Sequence, residues 1–88
     1  MKVTKVFEAT YEGRQIRVEN SWFNGEKLFV DGELQDQNLG LALRSTLQGQ
    51  LKTANGEFKM IKVTLGGTVK IQCKIFVDHR LVYPKEQR

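Results

Sequence analysis

Apolar and polar residues alternate with a period of two along most of this chain, the pattern of strands with one buried face. In Val3–Tyr11 the residues Phe7, Ala9 and Tyr11 share a face, and in Gln15–Asn20 Ile16 and Val18 do the same. Lys27–Val30 and Glu33–Gln37 read as further strands, followed later by Phe58–Leu65, Val69–Val77 and Arg80–Tyr83. Turn signals separate them: Glu12-Gly13-Arg14, Asn24-Gly25, Asp31-Gly32, Asn55-Gly56, Gly66-Gly67 and Asp78-His79. Asn, Asp and Gly tolerate the positive φ that tight hairpins require. Pro84 has no N–H for a ladder and ends the last strand. The pattern predicts an all-β fold, an antiparallel β-sandwich or partly open barrel of about seven to eight strands built from hairpins.

One segment reads two ways. Between Asn38 and Thr53 the residues Leu39, Leu41, Leu43, Leu47 and Leu51 occupy odd positions, which favours strands. Leu43, Leu47 and Leu51 also recur at helical spacing, so a short helix is the alternative. Gly40 and Gly49 weigh against it, each costing about 1 kcal/mol relative to alanine inside a helix.

The hairpin around Gly66-Gly67 invites an explicit register, because opposed residues must share a face. A two-residue loop would set Val63 against Lys70 and bury a lysine. An odd-length loop instead opposes Leu65 to Val69, Val63 to Ile71 and Ile61 to Cys73. Lys62, Thr64, Lys70, Gln72 and Lys74 then collect on the other face. The same register sets Phe58 against Phe76 and Met60 against Lys74 on that polar face. Either a bulge between Met60 and Ile61 turns the apolar residues inward, or a second apolar patch covers the sheet end.

At 88 residues the chain forms a single domain, residues 1–88, with the polar tail 85–88 expected to fray. The start of the chain carries charge without an apolar run behind it, so no signal peptide is expected. Cys73 is the only cysteine, which excludes an internal disulfide and suits a reducing compartment; the expected location is cytoplasmic, with no membrane partner. The net charge of +4 is unevenly spread. Residues 1–36 hold five basic and seven acidic side chains, whereas residues 37–88 hold nine and three. An acidic first part and a basic second part suit different partners, or each other in a dimer, or are simply a solvated surface whose halves differ.

No catalytic, metal or cofactor constellation stands out. Cys73 and His79 are the sole nucleophile–base pair, yet strand geometry sets them roughly 20 Å apart, with the thiol among apolar neighbours. Asp31, Glu33, Asp36 and Glu26 gather near one hairpin tip without the spacing of a calcium loop. The most informative cluster is Lys62, Lys70 and Lys74 with Phe58 and Phe76, a face suited to protein contact or to tracking a phosphate backbone. Lysines on an outer face also keep an exposed sheet in solution. Trp22 and Phe23, between two turns, form either a loop contact spot or a lid over the core.

A faint internal echo appears at an offset of 47 residues: Leu28-Phe29-Val30-Asp31 matches Ile75-Phe76-Val77-Asp78, Leu34 matches Leu81, and Ile16 and Val18 match Val63 and Leu65. Two related hairpin units packing face to face would produce it. Over Tyr11–Leu81 the order of Ile16, Val18, Gly25, Leu28, Val30, Asp31 and Gly32, then Ile75, Val77 and Asp78, resembles the β-sandwich domain of the Fas apoptotic inhibitory molecule family. His79 departs from that pattern, which has Gly in the second turn. The resemblance implies an antiparallel sandwich without an active site. The expectation is thus a non-enzymatic β-domain acting through protein contact, by a partner or by self-association through an edge strand or the Phe58/Phe76 patch. A weak nucleic-acid binder and a carrier of a small hydrophobic ligand are the alternatives.

Overall fold

A computed structural model describes residues 4–21, 25–39, 44–66 and 71–84. Eight strands follow one another: β1 (Thr4–Tyr11), β2 (Arg14–Ser21), β3 (Gly25–Val30), β4 (Glu33–Asn38), β5 (Arg44–Lys52), β6 (Phe58–Gly66), β7 (Gln72–Val77) and β8 (Arg80–Tyr83). They make two four-stranded antiparallel sheets, ordered β1-β2-β3-β4 and β5-β6-β7-β8. Each sheet is a meander of adjacent hairpins, as expected from short loops rich in turn formers. The ambiguous leucine segment resolves as a strand: Leu47 and Leu51 of β5 are buried, whereas Leu39 is 67% exposed and outside the core. Leu41 and Leu43 lie outside the described residues.

The inner faces meet in one apolar core. Ile16, Val18, Leu28 and Val30 from the first sheet pack against Leu47, Leu51, Ile61, Val63, Leu65, Cys73, Ile75 and Val77 from the second. Odd–even alternation had assigned most of these inward, because successive side chains on a strand leave opposite faces. Among the described residues no helix is long and apolar enough to cross a membrane.

The β6–β7 register differs from the expected one. Ile61 faces Val77, Val63 faces Ile75 and Leu65 faces Cys73, so every partner on β7 lies four residues further along. A shift by an even number leaves each side chain on its face, so alternation cannot tell the two registers apart. The pairing is fixed at its far end instead. Asp78 donates its N–H to the Met60 carbonyl at 2.9 Å, and its Oδ1 accepts the Met60 N–H at 3.2 Å. Phe76 consequently opposes Lys62, while the β5–β6 register sets Phe58 against Lys52. Phe58 and Phe76 do not form a cross-strand pair.

Of the two alternatives for Met60, the bulge at Met60/Ile61 is not formed, since β6 pairs continuously with β5 through that point. Bulges occur at Leu28/Phe29, between β3 and β4, and at Ile75/Phe76, between β7 and β8. These two sites are 47 residues apart, as are the turns that follow them. Asp31 and Gly32 have φ of 50° and 83°, and Asp78 and His79 have 49° and 68°. The echo is thus real in β3–β4 and β7–β8. In β2 and β6 it is displaced by two residues: Ile16 pairs with Val30 as Ile61, not Val63, pairs with Val77. β1 and β5 correspond as well, with Phe7, Ala9 and Tyr11 in the places of Leu47, Gly49 and Leu51.

Contacts between the sheets repeat this correspondence reciprocally. Arg14, opening β2, donates through Nε to the Lys52 carbonyl at the end of β5, at 2.7 Å. Lys59, near the start of β6, donates through Nζ to the Tyr11 hydroxyl at the end of β1, at 3.0 Å, and sits 3.5 Å from Glu12. The Tyr11 hydrogen bond holds the Lys59 ammonium above its ordinary pKa. At one margin the Gln48 and Gln50 N–H groups of β5 donate to Asp36 and Gln35 of β4, at 2.8 and 3.4 Å. At the other, the Phe7 and Tyr83 rings of β1 and β8 meet edge-on, 5.8 Å apart.

Candidate functional site

Even-numbered residues of β6 face away from the core, and this puts Phe58 and Met60 on the outer surface of the second sheet, 64% and 57% exposed. Phe76 lies beside Lys62 on the same face, half-buried, and pairs across the β7 bulge with Leu81, 44% exposed. Along one strand, Phe58 and Met60 are about 7 Å apart, and paired side chains such as Phe76 and Leu81 about 5 Å. The four form an oblique apolar band across β6, β7 and β8. Of the two explanations for Met60, the second apolar patch is therefore the one the fold adopts.

Lysines border the band. Lys62 and Lys74 are exposed on the same outer face, and the Lys52 ammonium lies 5.8 Å from the centre of the Phe58 ring. Gln48, Thr46 and Thr64 supply neutral polar groups between them. Of the expected cluster, Lys62, Lys74, Phe58 and Phe76 thus share one surface, although the two rings are not opposed. Lys70, Trp22 and Phe23 lie outside the described residues. Parity had already put Met60 on this face, but it was not counted among the candidate residues, and Leu81 and Lys52 were missed altogether. The signal for Met60 was its even number, shared with Phe58 and Lys62.

The other candidates have structural roles. Cys73 is buried at 4% exposure, and burial pushes its thiol up to about 12, so it is a neutral core side chain at ordinary pH. His79 occupies the left-handed turn between β7 and β8. The acidic residues near the first hairpin tip are dispersed. Asp31 accepts the Gln15 N–H at 2.9 Å and pairs with Arg14 at 3.1 Å. Asp36 accepts the Gln48 and Gln37 N–H groups. Glu26 is buried and accepts from Asn38. Among the described residues no group of three or more His, Cys, Asp or Glu is placed to hold a metal ion.

The outer face of the first sheet is built differently. Arg17 lies between Glu8 and Glu19, at 3.5 and 2.9 Å, and Gln15 donates to Glu8 at 3.0 Å. A shallow depression lined by Gln15, Arg17, Glu19, Phe29 and Gly32 opens there. Its charges are satisfied within the sheet. Searches of protein-family models, curated proteins and solved structures find no match to this chain.

Proposed function

We propose that this chain is a non-enzymatic contact domain that engages a protein partner through the outer face of β5–β8. The observation that carries the reading is the band of Phe58, Met60, Phe76 and Leu81, four large apolar side chains turned out of the core on one sheet. Contiguous exposed apolar surface with a polar rim is characteristic of interaction sites, and Phe and Met are enriched at their centres. Met adds a flexible, polarisable side chain that adapts to the shape it meets.

Strand addition at the β5 edge is a weaker route, because the N–H groups of Gln48 and Gln50 already donate to β4 side chains. A carrier role would use the space between the sheets, where Ile16, Leu28, Leu47, Ile61, Val63 and Ile75 pack at 0–1% exposure. The buried Cys73 thiol suits a reducing compartment, and we place the protein in the cytoplasm on that ground.

Photo-crosslinking tests the reading. Benzoylphenylalanine placed at Met60 should capture partner protein in the native cells, whereas the same probe at Gln15, its counterpart on the first sheet, should not. A product of twice the chain mass from Met60 identifies the partner as a second copy. Equal capture from both positions, or none from Met60, overturns the proposal.

A further inference from the structure

The two sheets offer the same outer framework with different side chains on it. Across the first sheet runs the row Glu8–Arg17–Phe29–Leu34; across the second runs Gln48–Lys62–Phe76–Leu81. The next row outward from Arg17 holds Glu19 and Lys27, and that from Lys62 holds Thr64 and Lys74. On the other side stand Gln15 and Met60. Cation, Phe and Leu are kept in place between the rows, but the carboxylates are not. Where Glu8 and Glu19 clasp Arg17 at 3.5 and 2.9 Å, Lys62 has Gln48 and Thr64 in the corresponding positions. Where Gln15 completes that network, Met60 is exposed and apolar.

We infer that the occupant of the second sheet's outer face is an acidic, apolar protein segment, whose carboxylates take the places around Lys62 and Lys74 that Glu8 and Glu19 take around Arg17. The pairing that the first sheet makes internally is supplied to the second by its partner. Lys52, Lys62 and Lys74 steer such a segment and fix its position, while its apolar side chains cover Phe58, Met60, Phe76 and Leu81. A single nucleic-acid strand would use the lysines too, but stacking needs successive aromatic platforms. Met60 separates the two phenylalanines here and Leu81 follows the second, so no run of rings forms, and in the first sheet the groups around the corresponding cation are carboxylates. This inference rests on the contact-domain reading above.

The probes are fluorescein-labelled nonapeptides repeating Glu-Phe-Leu, Lys-Phe-Leu or Glu-Ser-Gly, with a short oligothymidylate beside them, titrated by anisotropy at low ionic strength. Glu-Phe-Leu is expected to bind the wild type and the other three to bind far more weakly. Lys62→Glu/Lys74→Glu should weaken Glu-Phe-Leu by about tenfold or more and let Lys-Phe-Leu bind instead. Met60→Ser should weaken it with the charges intact. Lys62→Gln/Lys74→Gln, checked by circular dichroism, replaces the reversed pair if that variant does not fold. If Lys-Phe-Leu binds the wild type as well as Glu-Phe-Leu, and both depend on Met60, the acidic partner is wrong and the contact face stands. Tighter binding of oligothymidylate through the same lysines overturns both. Absence of binding by every peptide overturns the inference, and crosslinking from Met60 then decides the contact reading separately.

Discussion

Asp31 and Gln15 hold each other through a reciprocal pair of hydrogen bonds. The Gln15 N–H donates to the Asp31 carboxylate at 2.9 Å, and the Asp31 N–H donates to the Gln15 carbonyl at 2.8 Å. Asp78 and Met60 repeat the arrangement in the second sheet. A two-residue turn is thereby tied to the strand beyond its own hairpin, which fixes the register of three strands at once.

The carboxylate form of Asp31 has a measurable consequence. The Gln15 N–H holds its pKa below the ordinary 3.8 against some desolvation, and Arg14 adds to the lowering. A group with a depressed folded pKa contributes stability above its unfolded pKa and loses it as pH falls through the folded one. Urea midpoints of the wild type should therefore fall as the pH is taken below about 4. Asp31→Asn keeps an acceptor oxygen and tolerates the left-handed turn, so its midpoint should be lower at neutral pH and flatter across the acid range. Parallel curves for the two proteins would show that Asp31 is not a source of the acid sensitivity.

The two equivalent turns differ at one position. Gly32 and His79 both have positive φ, but only His79 carries a Cβ there. His79→Gly should raise stability by about 0.5–1 kcal/mol, the relief of left-handed strain exceeding the extra unfolded-state freedom of glycine. Gly32→His should lower it by about 1 kcal/mol. A Cβ at Gly32 would have open space around it, so the cost is conformational and not steric. Denaturant melts of both variants check this, and a destabilised His79→Gly would mean that the imidazole makes a contact worth more than the strain.

Gly49 answers to packing instead. A Cβ there would lie 3.1 Å from both the Gln35 Cβ and the Leu28 Cδ2, the latter on a fully buried side chain. Its counterpart Ala9 carries that Cβ. Gly49→Val should cost about 1–3 kcal/mol by forcing β4 and β5 apart. Faster exchange of the Gln48 and Gln50 amide protons would accompany it, because these donate across the margin to Asp36 and Gln35. Unchanged stability would show that the two sheets slide freely past each other there.

Cys73 should be nearly inert in the folded protein. With burial pushing the thiol up to about 12, its thiolate is scarce at ordinary pH. Iodoacetamide labelling near pH 8 is expected to be slower than in urea by at least about a hundredfold. Comparable rates would place the thiol at the surface and remove it from the core.

Much of the architecture was legible in the chain. Phe7, Ile16, Val18, Leu28, Ile61 and Ile75 announce their inward faces through alternation, and Asp31-Gly32 and Asp78-His79 announce turns through residue types that accept positive φ. The repeat was visible where no loop intervenes, from Leu28 to Leu34 and from Ile75 to Leu81. It was misaligned in β2 and β6, because the loops after them differ in length and alternation matches itself again after every second residue.

The outer face of β5–β8 was half legible. Lys62, Lys74, Phe58 and Phe76 were placed on one side by parity, but Leu81 entered only through the β7–β8 bulge, and Lys52 only through pairing with Phe58. Outside the Asn38–Thr53 segment, where helix and strand both fitted the leucines, sequence by itself determined where the strands and turns fall and which face of each strand is buried, since those follow from local conformation and the two-residue period. Tertiary structure alone decided which residues stand opposite one another. Registers two or four residues apart bury the same side chains, and only fixed contacts such as Asp31 with Gln15 and Asp78 with Met60 select among them.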